Sequence, residues 1–132
     1  MRLCKGAYKE PASVAYPEKS DVDANYVRCM QELVRHGNYP GLATHDERII
    51  REIRKFVAEQ KIPPDRYEFQ MLYGVRRDLQ ERLVDEGYRM RVYVPFGTQW
   101  YPYLMRRLAE RPANLAFMTG SIVKETMRRR RR

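Results

Sequence analysis

Cysteine is scarce: Cys4 and Cys29 are the two that 132 residues contain, too few for a disulfide framework. Both fall in segments that read as core, the pattern expected of a reduced, cytoplasmic protein. Long apolar runs are missing too. No stretch of about 18 apolar residues exists, so no membrane span is expected, and the N-terminus carries no apolar block of the signal-peptide kind. No G-x-G-x-x-G follows a strand-like segment, which leaves a Rossmann dinucleotide site without support. No metal site is expected. Acidic charge is in deficit: 17 Asp and Glu stand against 26 Lys and Arg, for a net charge of +9. More than half of that excess is one feature, the run of five arginines from Arg128 to Arg132. Such a tail can bind nucleic acid or an anionic membrane surface. It is equally the composition of a solvated, disordered end. No aromatic interleaving or nucleic-acid motif accompanies it, so no specific nucleic-acid partner is expected.

What remains is globular in composition, 43% apolar and 33% charged, and of a length that suits one domain. The organisation reads as a domain over residues 1–112 and a basic, partly disordered tail over 113–132.

Apolar periodicity divides the domain. A short strand-like run from Met1 to Cys4 stops at Gly6, and "EPASVAYPEKSD" follows as a loop. Asp21 or Asp23 can cap a helix over roughly Ala24 to Arg35, with Val27, Met30 and Val34 on one face and Gly37 ending it. "YPGLAT" is a short strand ending at Thr44. Asp46 reads as the N-cap of a helix running to about Gln60, whose apolar stripe is Ile49, Ile50, Ile53, Phe56 and Val57. "IPPD" is a turn, and Tyr67 to Gly74 is an apolar strand. "RRDLQERLVDEG" is a helix with Leu79, Leu83 and Val84 facing inward. Tyr88 to Pro95 is a fourth strand, and "YPYLMRRLAER" is a final helix that stops before Pro112. Strand and helix thus alternate four times, the signature of parallel βαβ units in an α/β protein. A doubly wound sheet and part of a (β/α)8 barrel both fit.

In either architecture ligands bind at the C-terminal ends of the strands. Polar residues gather there: Lys5 after the first strand, Thr44 and His45 after the second, Gln70 within the third and Tyr93 within the fourth. Arg106 and Arg107 lie on the helix after the fourth strand, one turn before Glu110. Spacing alone leaves two readings of that trio. One is an ordinary solvated helix face, where such pairs contribute about 0.2–0.5 kcal/mol. The other is a fork for a carboxylate or phosphate, since guanidinium groups bind such anions bidentately.

Four segments in order, "RLCKGAYKEP", "LATHD", "YEFQMLYGVR" and "RVYVPFGTQWYPYLMRRLAERPAN", resemble the proline dehydrogenases over about Arg2 to Asn114. Cys4 stands where that family commonly has Val, and the residues after Asn114 drift from its ending. The resemblance implies an FAD-dependent (β/α)8 TIM barrel that oxidises L-proline to Δ1-pyrroline-5-carboxylate and passes the electrons to a quinone. It implies a cytoplasmic enzyme, soluble or peripheral to the inner membrane. Arg106 and Arg107 match the pair that grips the substrate carboxylate, and Glu110 the acid that braces them. Tyr93 matches a tyrosine packed on the substrate ring, and Leu72 an apolar pocket residue. Arg2 matches the arginine near the flavin N5. Lys5, Gly6 and Ala7, with Thr44 and His45, match residues that contact FAD. Gln70 and Trp100 read equally well as packing residues and are left out of this site.

The match starts at the family's fifth strand. The resemblance therefore implies the C-terminal half of a barrel, without the lysine, aspartate and glutamine that the first four strands carry. Inactivity of the chain alone is expected, with a separate N-terminal half-barrel chain or self-association completing it. Two other classes of function stand beside the enzyme: a half-barrel used as an assembly piece, and a nucleic-acid-binding module built on the arginine tail. The last predicts DNA binding that falls steeply with salt and is abolished by deleting Arg128–Arg132. A salt titration of fluorescent DNA by anisotropy checks it, and binding at physiological salt that survives the deletion excludes the tail as its source.

Overall fold

The structure is a computed structural model, and it describes residues 1–6, 10–98, 100–102 and 105. Four strands form one parallel sheet: β1 (Arg2–Cys4), β2 (Gly41–Ala43), β3 (Glu68–Leu72) and β4 (Met90–Tyr93), in the spatial order β1-β2-β3-β4. Between them run α1 (Lys19–His36), α2 (Glu47–Glu59) and α3 (Arg77–Asp85), and a short 3-10 turn, Pro64–Arg66, precedes β3. The strand order has no reversal. The three helices all pack on the sheet face that carries Leu3, Leu42, Phe69, Met71 and Met90. A doubly wound sheet needs a reversal and helices on both faces, so that alternative does not describe these residues.

Each helix buries one stripe. α1 contributes Tyr26, Met30 and Val34; α2 contributes Ile49, Ile50, Ile53, Phe56 and Val57; α3 contributes Leu79 and Leu83. Asp46 caps α2 as its sequence predicts, its carboxylate accepting from the Arg48 backbone N–H at 3.0 Å. Gly87, at φ +86°, closes the α3 turn in a conformation that favours glycine.

The structure corrects several expectations. α1 begins five residues early, at Lys19, and its N-cap Glu18 makes no side-chain cap bond. Asp21 and Asp23 lie inside the helix instead, because Asp23 pairs with Lys19 one turn before it and with Lys5 on the strand side. Val84 is exposed, because α3 turns its buried face through Leu79 and Leu83. The cysteines are free, and neither is core: Cys4 is exposed and Cys29 half-buried. Leu3 faces the helices, so the alternation of a strand turns Cys4 to the other side. The tail over 113–132 lies outside the described residues, as does the end of the final helix.

Leu83 is fully buried, so Leu83→Ala should cost about 2–5 kcal/mol. Val84→Ala should stay within about 0.5 kcal/mol. Urea unfolding of both variants checks the inward face of α3, and equal losses would reject it.

Candidate functional site

The second sheet face carries the polar chemistry. Pairing places Arg2 beside Gly41, Gly41 beside Glu68, Ala43 beside Gln70, Gln70 beside Arg91, and Leu72 beside Tyr93. On β2 the two residues of this face are small, Gly41 and Ala43. The space above them is used by a long side chain. Arg2 sits at the base of β1, yet its Nε donates to Gln70 Oε1 on β3 at 2.6 Å. Strands two apart lie roughly 10 Å from one another, a span that a residue on β1 covers only if nothing stands between. A Cβ added at Gly41 would collide with the Gln70 amide. The Arg2 guanidinium then lies over the Tyr93 ring on β4, with Cζ 5.8 Å from its centroid, within cation–π range.

Gln70 is itself held. Its Nε2 donates to Glu68 Oε1 at 2.6 Å. Glu68 is one of two buried polar or charged residues among those described. Arg91 grips it with both ends of its fork, Nε to Oε1 at 2.5 Å and Nη2 to Oε2 at 2.9 Å, the bidentate geometry that makes such pairs strong. The Tyr39 hydroxyl donates to Oε2 at 3.3 Å. The Arg91 hydrogen bonds, first among these causes, hold the Glu68 carboxyl below the usual glutamate range.

A second group gathers at the C-terminal strand ends. His45 accepts the Leu72 backbone N–H at Nε2, 2.9 Å away. An acceptor at Nε2 requires a neutral ring with its proton on Nδ1. The buried Thr44 receives the Asp46 backbone N–H on Oγ1 at 3.1 Å and gives its own N–H to the Gln70 carbonyl at 3.2 Å. Lys5 is almost wholly covered, and its ammonium donates to Asp23 at 2.5 Å and Asp46 at 2.9 Å. It thus ties the segment after β1 to Asp23 within α1 and to the N-cap of α2. Burial pushes the Asp46 carboxyl up, but the Lys5 ammonium, the Arg48 backbone N–H and Lys19 together outweigh it and the net shift is downward; Asp23, bonded by Lys19 and Lys5, behaves likewise. A Cβ added at Gly6 would meet no described atom within 4 Å.

Of the residues the sequence singles out, the structure brings Arg2 to Tyr93 directly, Leu72 to His45, and Lys5 and Thr44 together at Asp46. Ala7, Arg106, Arg107 and Glu110 lie outside the described residues. Sequence reasoning noted Gln70 on the polar rim but left it out of the site, and it did not single out Glu68. Their signal was legible, since two polar residues at i and i+2 within an apolar strand share one face.

Fold and site together define a parallel α/β protein with helices on one face of its sheet and a cation-bearing polar cluster on the other. The family model described as "Proline dehydrogenase" matches residues 1–120, and the chain belongs to that family. It is 55% identical over 124 residues to the proline dehydrogenase of Deinococcus radiodurans, covering 94% of this chain and 40% of that protein. Against proline dehydrogenase 1 of Bacillus subtilis it is 52% identical, covering 95% and 41%. The bifunctional protein PutA of Escherichia coli is less similar, at 32% identity over 89% of this chain and 10% of that protein. The similarity is thus greater to the bacterial proteins named for proline dehydrogenase alone. Among solved structures, proline utilization A from Bdellovibrio bacteriovorus, inactivated by N-propargylglycine, superposes with a TM-score of 0.73 at 35% identity, covering 81% of this chain and 13% of that one. The chain spans about 40% of the length of the first two relatives. No described helix is long and apolar enough to cross a membrane.

Two depressed carboxylates facing one lysine have a pH consequence. Their contribution to stability is complete above the ordinary aspartate value of 3.8 and is lost as pH falls through the lower folded-state values. Lys5→Met should cost about 1.5–3 kcal/mol at neutral pH, and the gap to wild type should narrow below that value. Thermal unfolding at neutral and strongly acidic pH measures it. A gap that does not change with pH would reject the ammonium as the tie.

Proposed function

We propose that this chain contributes the C-terminal part of a proline dehydrogenase barrel: the grip on the substrate carboxylate, the wall over its ring, and part of an FAD site. The reading is supported most by one observation, an arginine from the base of β1 anchored by Gln70 over the Tyr93 ring on the polar sheet face, within a chain matched to the family over residues 1–120.

The donor set suits a flavin. Among the described residues no hydrogen bond reaches the two Nη groups of Arg2, so a cationic edge remains for an electron-rich ring atom. Among the described residues nothing crowds a Cβ position at Gly6, which allows close approach to its backbone. In this reading Arg2, Lys5, Gly6, Ala7, Thr44 and His45 hold FAD. When bound, FAD supplies the two-electron acceptance that takes a hydride from the proline ring carbon next to nitrogen. Arg106 and Arg107 bind the substrate carboxylate, Glu110 braces them, Tyr93 covers the ring and Leu72 gives the pocket an apolar wall. Arg2 places positive charge where negative charge develops. Lys5 works through position: its ammonium is committed to Asp23 and Asp46, so it fixes the segment that carries Gly6. A quinone is the final acceptor, and a cytoplasmic site with peripheral contact to the inner membrane goes with that partner.

The described sheet has two edge strands, β1 and β4, and Arg2, Arg91 and Tyr93 are exposed on its polar face. Unpaired edges of this kind are normally covered. Closure by strands of a separate N-terminal half-barrel, or by a second copy, completes a (β/α)8 barrel in this reading, and residues 1–132 alone are inactive. The expected result with FAD and proline under anaerobic conditions is no flavin bleaching by the chain alone, and bleaching once the N-terminal portion of the Deinococcus relative is added. In that complemented enzyme Arg107→Met should weaken proline binding by about 2–5 kcal/mol and leave FAD affinity unchanged. Enzyme-like bleaching by the chain alone removes the half-barrel reading; wild-type proline affinity in Arg107→Met removes the carboxylate fork.

A further inference from the structure

We propose that Glu68 and Gln70 are positioning residues that set the direction of the Arg2 guanidinium, and that Gly41 is small because this relay crosses above it. The chemistry of each member fixes the next. An ionised carboxylate only accepts hydrogen bonds, and Arg91 keeps Glu68 ionised by gripping both its oxygens. The Gln70 amide must therefore turn its NH2 toward Glu68, as it does at 2.6 Å. That leaves its carbonyl oxygen facing β1, where it takes the Arg2 Nε–H, also at 2.6 Å. Anchoring by Nε rather than by a terminal nitrogen has a geometric result. The guanidinium is planar, so an Nε–H fixed on Gln70 restricts the plane of the whole group, whose Cζ lies 5.8 Å from the Tyr93 ring centroid. Arg2 is thereby held in one orientation, and among the described residues no hydrogen bond reaches its Nη groups.

Without Glu68 the amide has no reason to keep that orientation. A glutamine at 68 offers both a donor and an acceptor. Gln70 can then turn its NH2 toward Arg2, where donor faces donor and the anchor is lost. The relay is a property of this chain's own residues. Its consequence for hydride transfer rests on the proposed role of Arg2 beside the flavin.

Two measurements separate the relay from that role. In 15N-labelled residues 1–132, the Arg2 Nε–Hε signal, assigned by its disappearance in Arg2→Lys, is expected to show slow exchange with water. Glu68→Gln should speed that exchange about tenfold or more. Gly41→Ala, whose added methyl group meets the Gln70 amide first, should do the same. Unchanged Ile50 and Ile53 methyl signals show in each variant that the core is kept. An Arg2 signal that exchanges as in wild type in either folded variant overturns the relay. The second measurement is made in the FAD-loaded, complemented enzyme, where Glu68→Gln should slow flavin reduction while the KM for proline stays. Loss of Arg2 protection with an undiminished reduction rate upholds the relay and refutes the flavin role of Arg2.

Discussion

Burial of one face of a four-stranded sheet under three helices is the constraint on which everything else depends. Leu3, Leu42, Phe69, Met71 and Met90 meet the apolar stripes of α1, α2 and α3. Strand alternation has a period of two, so fixing these residues inward fixes their neighbours outward. A slip of one position in β3 would drive Glu68 and Gln70 into the core and expose Phe69 and Met71. The register is therefore held by hydrophobic burial, and the polar face is its complement. Arg2, Gln70, Glu68, Arg91 and Tyr93 owe their common face to residues they do not touch.

On that face the decisive feature is a missing side chain. Gly41 and Ala43 leave a low passage over β2, and Arg2 uses it to reach β3 and β4. The charges that meet there are arranged to be satisfied. Glu68 is buried but carries a bidentate arginine, an amide and a hydroxyl, as a buried carboxylate requires. The same economy appears around Lys5, where one covered ammonium serves two carboxylates on two helices. The two clusters lie at opposite ends of the strands, Glu68 at the start of β3 and Lys5 after the end of β1.

Much of this was legible in the residues. The strand-and-helix alternation, the Asp46 cap and the five-residue stripe of α2 all follow from short-range periodicity. The early start of α1 was not legible, because Asp21 and Asp23 look like caps until Lys5 and Lys19 draw Asp23 into a tertiary cluster. Val84 fits an inward stripe by spacing, yet α3 is short and only Leu79 and Leu83 reach the sheet. Cys4 reads as core because apolar strands often do, while its position after Leu3 turns it away from the helices.

By itself the sequence determined which segments are strands and which are helices, since each depends on apolar spacing within a few residues. It also determined the family, through four ordered motifs. It could not decide that Gln70, left out of the site, is the partner of Arg2, 68 positions away. That pairing exists because parallel strands in the order β1-β2-β3-β4 set Arg2 two strands from Gln70 with only Gly41 and Ala43 between. Hydrogen bonds across such a distance in sequence are decided by register and by the volume of what lies between, and both are properties of the assembled sheet.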